Sequence, residues 1–207
     1  MKKVIVLIIA TAIFILATAQ GNQPTIESDY PDLYAALGEN LIVEDIESSV
    51  VQTHLQDMRL IPTQALEELK QYGVRIYVGD KPVSDFPGME GSDKTHVPGW
   101  PDGITFADIS GVYTNGRVYL GADKFPLEGL AIHEITHAIG DVKQIYSYPE
   151  MQAFFEEYQD TFHIDSGNAI EEFFAESVRH ILMGNSGFFK SDYVNFIYET
   201  LRREPIY

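Results

Sequence analysis

The pentapeptide His133-Glu134-Ile135-Thr136-His137 constrains this chain more than any other feature. It lies in a stretch that reads as a helix from Leu127 to Ile139, with Pro126 where a first helical turn tolerates proline and a stop near Gly140. Residues four apart share one helix face a turn apart, so both imidazoles can reach a single ion. Neutral imidazole is a good ligand for Zn²⁺. Glu134 follows the first histidine, where its carboxylate can take a proton from an attacking water. The flanks Leu130-Ala131-Ile132 and Ala138-Ile139 are apolar. The fold must therefore bury a helix while opening one of its faces to a ligand.

Two histidines are too few, because a catalytic zinc generally takes three protein ligands and a water. No His or Asp follows the motif at metzincin spacing, so the third ligand must come from elsewhere in the chain. The best donor is the run Ile170-Glu171-Glu172-Phe173-Phe174-Ala175-Glu176-Ser177. On a helix Glu172 and Glu176 share a face, while Phe173, Phe174, Val178 and Ile181 supply an apolar side. Periodicity alone equally allows a solvated acidic edge; the upstream histidines favour a ligand.

Around these motifs the chain is organised as helices, a few strands, then helices, an α+β arrangement. Residues 20–30 are polar and read as a flexible leader to a single domain over 31–207. Residues 31–58 are mostly helical in pattern, with Leu41, Ile42, Ile46, Val50, Val51 and Leu55 at helical spacing. A short helix from Gln64 to Gln71 is closed by Gly73, and Val74–Val78 alternates as a strand. Residues 81–110, with Pro82, Pro87, Pro98 and Pro101, read as a long surface loop, functional or mobile. Asn115-Gly116 between Val112-Tyr113-Thr114 and Arg117–Leu120 signals a type I′ hairpin. Later helices are expected from Glu150 to Gln159 behind Pro149, from an Asn168 cap through His180, and from Tyr193 to Arg203 behind Ser191.

Composition narrows the function. With 31 acidic against 14 basic residues in 207, the net charge is −17. A nucleic-acid binder needs a basic face, so nucleic-acid partners are excluded, as is adhesion to anionic membranes. An apolar content of 45% excludes a disordered acidic tail. The absence of cysteine excludes disulfide scaffolds, thiolate zinc sites and cysteine nucleophiles. Met1-Lys2-Lys3, the apolar run Val4–Ala17 and Ala17-Thr18-Ala19 form a secretory signal layout over residues 1–19. The run is shorter than the ~20 residues that span a bilayer. Cleavage rather than retention as an anchor is therefore the expectation, giving a secreted, extracellular protein with no stable membrane insertion.

His133-Glu134-x-x-His137-Ala138-Ile139 followed by Glu171-Glu172-Phe173-Phe174-Ala175-Glu176-Ser177 resembles the anthrax lethal factor-like metallopeptidases. Within them it is most similar to the small secreted Pro-Pro endopeptidases. The likeness runs back through the hairpin to Pro98-Gly99-Trp100 and covers about residues 60–185. It implies a zincin-like metallopeptidase domain: a small mixed sheet, an active-site helix and a C-terminal helical half. It further implies one Zn²⁺ held by His133, His137 and Glu172, Glu134 as catalytic base, and Glu176 supporting a ligand histidine. Trp100 matches a tryptophan lining the substrate cleft, although as the only tryptophan it fits a core position equally well.

Two departures accompany the likeness. Where the family has a tyrosine seven residues before the ligand Glu, to stabilise the tetrahedral intermediate, this chain has Asp165, which would repel an oxyanion. His163, in a longer loop, is the replacement donor and is taken as catalytic, with Tyr146, Tyr148 and Tyr158 as competitors. The basic residue that the family carries just before the tryptophan is also absent, which deprives Glu171 of its expected partner. The expectation is a monomeric secreted zinc endopeptidase acting on protein or peptide substrates, Pro-Pro bonds being the first candidate. The alternative is a weakly active or inactive binding protein on the same fold.

Overall fold

The computed structural model describes residues 24–97, 102–122, 127–162 and 169–202. The signal segment, Trp100, His163, Asp165 and Asn168 lie outside the described residues. Within the stretch expected to be a loose leader, Thr25 caps one helical turn, α1 (Ile26–Asp29), through a reciprocal capping box with Ser28. Helix α2 (Pro31–Leu37) follows, with proline in its first turn. Gly38, at φ 56°, ends that helix.

Residues 41–43 correct the sequence reading. They form a strand, β1 (Leu41–Val43), and not part of a helix reaching Met58. Their apolar spacing suits either state; parallel pairing with β2 (Arg75–Val78), Leu41 opposite Ile76, decides it. Helices α3 (Ser49–Met58), N-capped by the Ser48 hydroxyl, and α4 (Thr63–Gln71) connect the two strands. Strands β3 (Gly111–Thr114) and β4 (Arg117–Leu120) make the expected hairpin. Asn115 and Gly116 both have positive φ, as a type I′ turn demands. The sheet order is β1-β2-β4-β3, with only β3 antiparallel to its neighbour. This leaves β3 at an edge.

Strand alternation separates two apolar cores. Ile76, Val78, Val118 and Leu120 face the helices, while Tyr77 and Tyr119 face the other way and stack at 5.1 Å. Against the tyrosine face pack Val83, Phe86, Met89, Val97 and Ile109. The described part of the 81–110 segment is thus a cover over the sheet and not a loose surface loop. Its apolar residues, spaced among the prolines and glycines, hold it down.

On the helical face lie α5 (Leu130–Lys143), α6 (Pro149–Phe162), α7 (Ala169–Leu182) and α8 (Ser191–Arg202). Gly140 does not stop α5, which runs on to a left-handed Gln144. The glycine instead lets the Tyr146 ring lie against the helix, where any Cβ would collide with it. Helix α7 buries Phe173, Phe174, Val178 and Ile181 against α5 and α8 and thereby brings its acidic face to the histidine helix. No helix among the described residues is long and apolar enough to cross a membrane.

Candidate active site

Helix α5 starts at Gly129, in the left-handed region at φ 75°, and buries Ile132, Ile135, Thr136 and Ile139. That packing turns His133 and His137 toward α7, with their Nε2 atoms 3.2 Å apart. Glu172 reaches both: one carboxylate oxygen is 3.4 Å from His133 Nε2 and the other 3.6 Å from His137 Nε2. Within this trio the three donor atoms all lie within 4.8 Å of one another. Two imidazoles and one carboxylate converging from two helices form a donor set suited to Zn²⁺.

The charges are consistent with such an ion. Burial would lower the His133 pKa, but hydrogen bonding to Glu172 and Glu176 overturns this and pushes it up to about 10. Burial, reinforced by His133, lowers His137 to about 4. The neighbouring histidines hold Glu172 below the usual carboxylate range despite its burial. Within the trio His133 is the basic member and Glu172 the anionic one, and a divalent ion bound there would displace the His133 proton. His133 Nδ1 is buried, and Glu176 Oε2 faces it at 3.4 Å. That is where a carboxylate steadies a ligand imidazole.

Glu134 points to the other side of α5, under the edge strand. It is half-buried, and desolvation pushes its pKa up to about 7, with Glu172 adding to the shift and His133 opposing it. The Tyr113 backbone N–H donates to its carboxylate. A carboxyl group poised near neutrality can accept and return a proton at physiological pH. A cleft of about 310 Å³ lies above these groups. One wall is the whole of β3; Val97, Phe106 and Ile109 provide an apolar wall; Glu171 stands at its rim.

Helix α7 does bring Glu172 and Glu176 to one side, with Glu171 beside them in the cleft. The three tyrosines considered as oxyanion donors are all engaged elsewhere. Tyr146 donates to the His137 carbonyl at 3.3 Å, and Tyr148 to the Lys143 carbonyl at 3.1 Å. Tyr158 accepts the Lys190 N–H at 2.8 Å within an aromatic cluster with Phe173 and Tyr193. Sequence reasoning missed Tyr113, which lines the cleft and donates to Asp141 at 2.6 Å. It also missed Arg179, whose i,i+3 spacing from Glu176 was a readable signal.

A small mixed sheet laid with its antiparallel edge over a helix that carries His-Glu-x-x-His is a zincin-type α+β fold. The solved structures bear out that class. The chain is similar to the Pro-Pro endopeptidase PPEP-2 from Paenibacillus alvei, with a TM-score of 0.66 and 22% sequence identity. The match covers 80% of this chain and 97% of that one. No family model matches the chain, and neither does any curated protein.

Proposed function

We propose that this protein is a secreted zinc-dependent endopeptidase of the lethal factor-like type, hydrolysing peptide bonds in extracellular proteins. One observation carries the reading: a half-buried carboxylate, Glu134, adjoins a convergent His133, His137 and Glu172 beneath a cleft walled by an edge strand. The fold shared with PPEP-2, an endopeptidase, supports it. The N-terminal signal layout supports export.

An extended peptide would add to the outer edge of β3, pairing main chain to main chain, so that its scissile carbonyl lies over the trio. Bound zinc, held by His133, His137 and Glu172, would supply Lewis-acid polarisation. Glu134 takes a proton from the attacking water, whose oxygen bonds to the carbonyl carbon. As the C–N bond breaks, Glu134 returns that proton to the leaving amine, yielding an acid and an amine. The Tyr113 N–H holds the carboxylate in place throughout. Proline on both sides of the cut bond is the first candidate specificity, because the fold neighbour is a Pro-Pro endopeptidase. Trp100 would contribute to the cleft.

The test is a peptide-library digest by the full chain, mapped by mass spectrometry, with and without chelator and with Glu134→Gln. Chelator-sensitive cleavage that falls by several orders of magnitude in Glu134→Gln is expected. Cleavage by Glu134→Gln at the wild-type rate would exclude the mechanism. Sites lacking flanking prolines would remove the Pro-Pro specificity alone. A second reading, a zinc-binding protein with little activity, is favoured by the engagement of Tyr146, Tyr148 and Tyr158 elsewhere. Zinc binding without any cleavage would select it.

A further inference from the structure

We propose that Arg179 is a positioning residue for the metal site: its guanidinium fork sets the Glu176 carboxylate that orients His133, and ties that carboxylate to the start of α5. The inference rests on the metal-site reading above. Arg179 Nε donates to Glu176 Oε2 at 3.0 Å, and a terminal nitrogen donates to Oε1, so both oxygens are engaged. Oε2 is the same oxygen that faces His133 Nδ1 at 3.4 Å. The remaining terminal nitrogen of the fork donates to the Glu128 carbonyl at 2.7 Å, just before the first turn of α5. One planar group therefore joins the two helices that carry all three candidate ligands.

This is unlike an ordinary i,i+3 pair on a solvated face, which contributes little. The Arg179 side chain is only 12% exposed, and the Glu176 side chain 25%. The stem of Arg179 runs over Gly129, where a Cβ would come within 2.9 Å of Arg179 Cγ. Glycine there serves both the left-handed start of α5 and the passage of the arginine.

The arrangement resolves a competition. His180 Nε2 lies 3.2 Å from Glu176 Oε1 and offers the carboxylate a second partner on its own helix. With the fork in place, Oε1 and Oε2 are held in a plane that keeps Oε2 on His133. Without it, the carboxylate is free to turn toward His180 or solvent, and Nδ1 of His133 loses its acceptor. Lysine would keep the charge but not the planar two-point grip.

The experiment is a double-mutant cycle read as zinc affinity, by chelator competition with the metal alone on the full chain. The variants are Arg179→Gln, Glu176→Gln, their combination, and Arg179→Lys. Arg179→Gln and Glu176→Gln should each weaken zinc about 10–100-fold, the usual effect of losing an outer partner of a ligand histidine. The double variant should be no weaker than Glu176→Gln, because both lose the same contact. Arg179→Lys, which preserves stem and charge and so guards against a folding failure, should also bind zinc less tightly than wild type. Equal weakening by Arg179→Gln in both backgrounds would overturn the proposal, as would wild-type affinity in Arg179→Lys. Wild-type protein that binds no zinc would instead bring down the metal-site reading itself.

Discussion

Gly111 on the edge strand lies directly over Glu134: a Cβ on Gly111 would stand 2.9 Å from Glu134 Cγ and 3.1 Å from a Leu130 methyl. The strand approaches the helix this closely only because that position has no side chain. Gly111→Ala should therefore displace the carboxylate while leaving the zinc ligands alone. A displacement near 1 Å at a reacting group costs about 100-fold in rate. We expect kcat to fall by that order with zinc content unchanged. Wild-type kcat in Gly111→Ala would show that β3 does not position the base.

Removing metal should loosen the clasp between α5 and α7. At a free zinc concentration 100 times Kd, binding contributes about 2.7 kcal/mol to stability. For a domain of this size that is a Tm difference of roughly 5–10 °C between metal-loaded and chelated protein. His133→Ala and His137→Ala should each hold less than one zinc by elemental analysis and should lose the chelator effect on Tm. Stoichiometric zinc in both variants would refute the ligand assignment.

Oxyanion stabilisation separates His163 from the tyrosines. Because Tyr146 and Tyr148 donate their hydroxyls to backbone carbonyls and Tyr158 is buried in an aromatic cluster away from the cleft, their Phe variants should retain kcat within a few-fold. His163→Ala should lower kcat and kcat/KM together by about 10²–10³, with KM little changed. A defect confined to one of the Phe variants would transfer the role to that tyrosine.

Behind the site, Lys143 at the end of α5 forms an ion pair with Glu68 of α4, and their side chains are only 3% and 6% exposed. Lys143→Met alone leaves a buried carboxylate uncompensated, which should cost about 3–5 kcal/mol in urea unfolding. Adding Glu68→Leu should recover most of that loss, since replacing both partners of a buried pair is often neutral. A double variant as unstable as the single one would mean that the pair also orders the packing around it.

How much of this was readable from the residues alone depends on range. The His133–His137 pair is a property of one helix turn, so its geometry followed from spacing of four, and the hairpin followed from the conformational freedom of Asn115-Gly116. Both features are local. The apolar spacing of Leu41–Val43 fits a helix as well as a strand, and only Ile76–Val78, more than thirty residues away, supplies the hydrogen bonds that choose. Gly140 reads as a stop in the sequence because the Tyr146 ring that occupies the place of its missing side chain returns from beyond the helix end. The covering role of the 81–110 segment was hidden for the same reason: its apolar residues declare a core only when Tyr77 and Tyr119 present a face to it.

The sequence by itself determined which residues could bind and act: two imidazoles, the adjacent carboxylate, and an acidic pair one helical turn apart. It did so because helical periodicity is short-range and survives without knowledge of the rest of the chain. Tertiary structure alone decided that Glu172 meets both histidines, that β3 presses Gly111 onto Glu134, and that Arg179 spans from Glu176 to the Glu128 carbonyl. Each of these joins segments that share no periodicity. They meet because α5, α7 and the sheet must bury their apolar faces against one another, and that burial sets the distances at which the polar groups are left facing.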